Sequence, residues 1–241
     1  MSEIPPKPRS ETVRPKITRL PRLTIWRRGF RWFVHILTRF LLWLFTTAEV
    51  RGLEYLPHQG PALIVINHLG DVDSVLFVAK AGVSFEALAK SELYDFPVLG
   101  KIMDAFGVIW VHRGRADRKA ISAGLQALKE GRLLMVAPEG RESLTGALET
   151  GTGGAAFIAL REDVPIVPVT FTGTENKIIY QNMKRLRRTP VSMTVGPAFR
   201  LEWMDDRKEA IRGGTERIML KLAQQLPEKY RGVYAHRVES N

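Results

Sequence analysis

The stretch ALIVINHLGDVDSVLF, residues 62–77, holds the reading on which the fold turns. Its first five residues are all apolar and three are β-branched. A run with no polar alternation is expected of a strand buried on both faces, as in a parallel sheet. The run stops at Asn67, and His68 follows at once. Gly70 eases a sharp entry into a helix, Asp71 is a fitting cap, and Asp73 stands at the start of a second apolar segment with helical spacing, 74–82. The order strand, turn, helix sets an imidazole and a carboxylate at the carboxyl end of a core strand, where ligands sit in open α/β sheets.

The pattern continues downstream. Strand-like runs fall at 108–111, 132–136, 166–171 and 191–195, and segments of helical periodicity at 96–105, 115–129, 152–161 and 215–226. Such alternation predicts a single α/β domain with a largely parallel central sheet flanked by helices. Pro165 and Pro168 interrupt the run at 166–171 and lead us to expect an edge or bulged strand there. GTGGAAFIAL (151–160) opens a helix; close helix packing is the first reading of its glycines, a phosphate cradle the second.

At 241 residues the chain can bury one substantial core, and with no cysteine it has neither disulfides nor thiol nucleophiles. The net charge of +11 is unevenly spread: residues 1–40 carry ten basic side chains against two acidic ones. We therefore divide the chain into a basic, Pro-rich and loosely held lead-in (1–24), a helical segment (25–48) and the main domain (49–241). In IWRRGFRWFVHILTRFLLWLF (25–45), Arg28, Arg31, His35 and Arg39 follow one another at helical spacing among bulky apolar residues. This suits a helix lying in an anionic membrane interface, with a soluble helix bearing a solvated basic face as the alternative. Its charge-free part is well short of the roughly 20 residues a bilayer core requires. The aromatics argue against a nucleic-acid-binding arm, and none is expected. KRLRR (184–188) is a further basic stretch, read either as a solvated loop or as facing anionic lipid or an acidic carrier.

A neutral imidazole accepts a hydroxyl proton near neutral pH, and a neighbouring carboxylate fixes its tautomer and stabilises the imidazolium. His68 and Asp73 have the composition for this, but the spacing alone is a weak signal, because His112 and Asp117 repeat it. The second pair lies in the charged stretch VHRGRADRK and reads as a solvated turn.

Four further segments narrow the reading. NHLGDVD (67–73), GVIWVHRG (107–114), PEGRES (138–143) and VPIVPV (164–169) occur in this order, with AKSEL (89–93) and LPEKYRGVY (226–234) beside them. The set resembles the four blocks of the glycerolipid acyltransferase family, which includes bacterial lysophosphatidic acid acyltransferases. The resemblance implies transfer of a fatty acyl group from an acyl thioester, on coenzyme A or acyl carrier protein, to the hydroxyl of lysophosphatidic acid. It makes His68 the general base and Asp73 its orienting partner. Arg113, Glu139, Gly140 and Arg141 become candidates for the glycerol-phosphate end of the acceptor, with Lys90 as added positive charge. No metal and no cofactor is expected, the thioester being a co-substrate, and the expected place is the cytoplasmic face of the cell membrane. The third block departs from the usual Glu-Gly-Thr-Arg-Ser: here Glu139-Gly140-Arg141-Glu142-Ser143 brings the Arg forward and sets an acid in its place. That opens two alternatives, a different acceptor (glycerol 3-phosphate, another lysolipid, an amine-containing lysolipid) or a non-catalytic lipid-binding member.

Overall fold

Residue 5 and residues 9–11, 14–114 and 117–238 are described by a computed structural model; Pro6, Pro8 and Arg115 are among those outside the described residues. Seven strands form one sheet: β1 (Thr46–Arg51), β2 (Ala62–Ile66), β3 (Phe85–Lys90), β4 (Ile109–Val111), β5 (Leu133–Val136), β6 (Ile166–Thr172) and β7 (Thr189–Val195), in the order β1-β7-β6-β2-β5-β3-β4. Every pairing is parallel except β6 with β7. The ALIVI run is thus the middle strand, and all five of its residues are buried. Leu63 and Val65 face one core cluster, Ile64 and Ile66 the other.

The helices are α1 (Ile25–Phe45), α2 (Asp71–Lys80), α3 (Leu99–Phe106), α4 (Arg118–Lys129), α5 (Gly154–Glu162), α6 (Asn176–Lys184), α7 (Arg207–Gln225) and the single turn α8 (Ala235–Val238). The cores divide them: α4, α5 and α7 cover one face of the sheet, and α1, α2 and α6 the other. The glycines before α5 serve packing. A Cβ on Gly151 would come within 2.7 Å of the Met219 side chain, and one on Gly153 within 2.8 Å of Ile211, both on α7.

Three expectations fail for identifiable reasons. Pro168 sits in β6 between two neighbours, not on an edge. Its carbonyl accepts from Gly196 N at 2.8 Å, so its missing N–H points toward the β7 side, where the ladder has already ended at Val195. The pair His112 and Asp117 is buried rather than a solvated turn. The basic stripe of α1 is split, because Arg31 and His35 face the body. Arg31 donates to both carboxylate oxygens of buried Glu86, at 3.2 and 2.8 Å, and His35 Nδ1 donates to Val78 O at 2.7 Å. Glu86 is 1% exposed and lies in β3, so its charge requires a partner.

The lead-in, which its prolines suggest is loosely held, lies against the body over its described residues. Arg14 N donates to His112 Nε2 at 2.8 Å, Ser10 N to Arg113 O at 3.0 Å, and Thr18 is buried.

Candidate active site

β2 delivers His68 and α2 begins three residues later. At that entry Gly70 is required by proximity: a Cβ there would stand 2.5 Å from Thr174 O and 2.7 Å from Asn176 Oδ1. The tight turn lets Asp73, in the first turn of α2, reach back. Its Oδ2 accepts from Leu69 N at 2.7 Å, from Gly70 N at 3.0 Å and from His68 Nδ1 at 2.9 Å. Asp73 is fully buried, whereas the His68 side chain is 27% exposed. Because Oδ2 can only accept, Nδ1 carries the ring proton and Nε2 has a free lone pair. Burial opposes protonation of His68, but the hydrogen bond and charge of Asp73, with Glu142 and Glu139 behind them, outweigh it and raise its pKa above the ordinary 6.5.

Two neighbouring loops hold this turn. Asn67 bridges to β6, its Oδ1 accepting from Phe171 N at 2.7 Å and its Nδ2 donating to Phe171 O at 3.0 Å. From the loop after β5, Ser143 N donates to His68 O at 2.7 Å. Glu139, 1% exposed, accepts from His68 N at 3.3 Å and from Glu149 N at 2.7 Å. It therefore braces the backbone of the histidine and does not open to solvent. Gly140 follows it with φ +72°, a left-handed conformation that closes the turn onto Ala137 O.

Burial raises Glu139 to about 7 against the pull of its two backbone donors, with the Glu149 charge adding to the rise. The folded protein then holds a proton that the unfolded chain loses above about pH 4.5. The stability tied to that proton is complete below about pH 4.5 and is lost as pH climbs to about 7. Glu139→Gln should flatten the fall in stability between those limits relative to wild type, as read from denaturant midpoints of both proteins at pH 4.5 and 6.5.

The other candidates are dispersed along the same edge. Arg141 is buried, its Nε 2.7 Å from Glu149 Oε2 and its Nη1 2.9 Å from Pro5 O. Glu142 is the neighbour that stays near the imidazole; it accepts from Asn176 Nδ2 at 2.9 Å, and burial raises its pKa. Lys90 ends β3 exposed, opposite Val111 in the register, and Arg113 follows β4. Arg113 Nε lies 3.9 Å from Glu92 Oε2, and both atoms are buried without a hydrogen-bond partner among the described residues. With strands about 4.8 Å apart, β4 is three steps, or roughly 14 Å, from β2, so the strands that carry Arg113 and His68 stand well apart along this edge. Glu149 and Asn176 were missed in the sequence. Glu149 lies in a loop with no periodic signal, and Asn176 matters only because α6 docks beside α2.

The two His–Asp pairs now separate. His112 Nδ1 lies 2.7 Å from Asp117 Oδ2, a bond like that of His68, but Arg14 N donates to its Nε2 and the side chain is 3% exposed. A ring with both nitrogens engaged and no access to solvent has no capacity for a substrate proton. Of the two paired histidines, His68 is the one that leaves a basic nitrogen free at a partly exposed edge.

Comparison with known proteins bears on the family and the fold. A spirochaete 1-acyl-sn-glycerol-3-phosphate acyltransferase (Borreliella burgdorferi) is 32% identical over 54% of this chain and 53% of its own length. The lyso-ornithine lipid O-acyltransferase of Pseudomonas aeruginosa is 33% identical over 52% of this chain and 47% of its own. The chain thus spans about half the length of such curated relatives. The crystal structure of the 1-acyl-sn-glycerophosphate acyltransferase of Thermotoga maritima shares the fold, with a TM-score of 0.62 over 84% of each chain at 23% identity. The Acyltransferase family model matches residues 47–172, a segment that runs from within β1 to the end of β6 and holds every site residue expected from the sequence. Sheet, blocks and family model agree, and the chain belongs to the acyltransferase family.

Proposed function

We propose that this protein acylates the free hydroxyl of a lysophospholipid, lysophosphatidic acid in the first reading, from an acyl thioester on coenzyme A or acyl carrier protein. The observation that carries it is the asymmetry of His68, with Nδ1 committed to buried Asp73 and Nε2 open at the strand edge. In the step, Nε2 takes the hydroxyl proton while the oxygen attacks the thioester carbonyl. The tetrahedral adduct then collapses, the C–S bond breaks, and the imidazolium returns the proton to the thiolate. The products are a diacyl lipid and a free thiol. No covalent acyl-enzyme is needed, in keeping with a chain that has no cysteine. Arg113 and Lys90 supply positive charge for a phosphate, Arg113 with the planar fork that suits it.

A second reading is favoured by Glu142. In the family pattern an arginine stands at this place in the block; here a carboxylate neighbours His68, with Asp71 close enough to raise its pKa further. An amine-bearing lysolipid would be drawn to that acid, and the lyso-ornithine lipid acyltransferase among the relatives makes this acceptor worth testing. Purified full-length protein, labelled acyl thioesters of both carriers, and a panel of lysophosphatidic acid, glycerol 3-phosphate and a lyso-ornithine lipid decide between them. Transfer to lysophosphatidic acid alone supports the first reading. Transfer to the amine-bearing acceptor alone replaces it with the second, and lysolipid binding without any turnover sinks both.

The raised pKa of His68 sets the pH dependence. A base must be neutral to act, so kcat/KM should rise with pH along a limb centred above 6.5. In Asp73→Asn that limb should move down in pH, because the charge holding the proton on the ring is gone.

Both substrates are amphiphiles, which supports a station on an anionic membrane at the cytoplasmic face. No helix among the described residues is long and apolar enough to cross a membrane. The support comes from α1, which turns its apolar side outward: Trp32 is 68% exposed, Phe40 55% and Trp43 66%. Such side chains favour the interface of a bilayer.

A further inference from the structure

The outward face of α1 is one part of a larger apolar surface. Along α1 the positions turned toward the body include Arg27, Arg31, His35, Thr38 and Leu42, four of them polar. Arg27 Nε donates to Ala105 O at 3.1 Å and Arg31 Nε to Phe106 O at 2.7 Å, so polar side chains of α1 clasp the last turn of α3. The helix is amphipathic in the reverse sense, with polar groups inward and apolar groups outward. On α3 and the loop before it, Phe96, Val98, Leu99 and Ile102 are also exposed, Val98 at 70%. Trp26 of α1 and Phe96 border one open groove of about 420 Å³ between the two elements. Large apolar side chains are exposed singly elsewhere, such as Leu186 and Trp203, but here two neighbouring elements contribute them together, and an apolar surface of that kind marks a docking site.

Charge identifies the occupant. The exposed cations interspersed with this surface are Arg28, Arg39 and Lys101, against one exposed acid, Asp95. The two acids of the segment are matched by lead-in arginines: Asp95 by Arg14, and Asp104 by Arg19 at 4.0 Å. Cations rimming an apolar face complement an anionic lipid surface. The geometry also sets the orientation. Thr46, directly after α1, pairs with Thr189, and the antiparallel β6–β7 register sets the start of β7 beside the carboxyl end of β6. The C-terminal end of α1, with Trp43 and Leu44 exposed, therefore arrives at the edge of the sheet that carries His68.

We propose that Phe96, Val98, Leu99 and Ile102 form a second membrane-inserting element, which with α1 seats the protein on anionic lipid with the His68 edge beside the bilayer. This rests on the membrane reading of α1 and is separable from it. The test uses the full chain and vesicles of equimolar phosphatidylglycerol and phosphatidylcholine, with sedimentation as the readout. Val98→Asp with Ile102→Asp, both at sites already exposed, should weaken partitioning by about tenfold or more. Trp32→Asp with Phe40→Asp should weaken it at least as much. Because the chain has no cysteine, an environment-sensitive fluorophore on Ile102→Cys reports depth without interference. It should shift to an apolar signal on vesicles, while the same label on Lys208→Cys, on α7 across the sheet, stays aqueous. If the α3 variant sediments like wild type and the Ile102→Cys label stays aqueous while the α1 variant detaches, α1 docks alone and the proposal falls with the membrane reading intact. If wild type does not sediment and neither label shifts, the membrane reading fails too. Self-association abolished by the α3 variant, with no vesicle uptake, would assign the face to a second copy and overturn the proposal.

Discussion

His68→Ala is expected to lower kcat/KM for acyl transfer by about 10²–10⁴, the share a positioned general base supplies, while the fold persists. The His68 side chain is 27% exposed and packs in no core cluster, and the Asp73 carboxylate it leaves still accepts from Leu69 N and Gly70 N. His112→Ala is the counterpart. It removes an equally spaced histidine with an equally good carboxylate bond, but one that is 3% exposed and receives Arg14 N on its other nitrogen. The expected result is a crossed pattern: His68→Ala loses turnover and keeps its melting temperature, His112→Ala loses stability and keeps most of its turnover per folded molecule. Turnover near wild type in His68→Ala, with thermal melts showing both variants folded, removes the proposed chemistry. Asp73→Asn refines the argument. The three bonds to Oδ2 all come from donors, so the amide oxygen of Asn takes that place and the imidazole tautomer is kept. What is lost is the negative charge, so a partial loss of kcat accompanies the downward move of the pH limb.

The sequence was informative wherever one local rule governed. ALIVI is apolar at every position because β2 has strands on both sides and helices on both faces, and such a strand cannot be mistaken for a surface element. The turn to His68 and Asp73 was visible for the same reason: it is built from neighbours in the chain. What escaped depends on distant partners. β3, FEALAK, has good helix formers and an acid in its interior, and it becomes a strand because β4 and β5 pair with it and because Arg31 and Arg132 neutralise Glu86. β1, TTAEVR, is an edge strand whose alternation is faint. The two histidine pairs are indistinguishable in sequence because the deciding contact, Arg14 N on His112, spans nearly a hundred residues. The split basic stripe of α1 is the same lesson: helical spacing showed that Arg28, Arg31, His35 and Arg39 lie near one another, but not which of them the body needed.

Arg141 is the residue whose role the altered third block makes most consequential, and its ion pair yields the largest stability prediction. Its guanidinium and the Glu149 carboxylate are 6% and 2% exposed, with Nη2 also 2.7 Å from Glu149 Oε2. Glu149 Oε1 accepts from Leu144 N at 2.9 Å, so one acid fixes both the arginine and the loop that carries Glu139 and Ser143 to the histidine. Removing one member of such a pair strands the other charge in a poorly solvated place, which costs about 3–5 kcal/mol. At roughly 2–4 °C per kcal/mol for a domain of this size, Glu149→Ala should melt roughly 6–20 °C lower. Replacing both charges with apolar side chains of similar volume, Arg141→Met with Glu149→Leu, strands neither charge and should recover most of that loss, short of the bond from Leu144 N. The double variant then separates structure from recognition. If Arg141 only braces the loop, KM for a phosphate-bearing acceptor stays near the wild-type value once the fold is restored. If the guanidinium leaves Glu149 to meet the acceptor's phosphate, KM rises while stability recovers, and the pair seen here is the resting partner of a binding group. The two outcomes differ in KM at equal melting temperature, so acceptor titrations on the double variant decide the role of the displaced arginine.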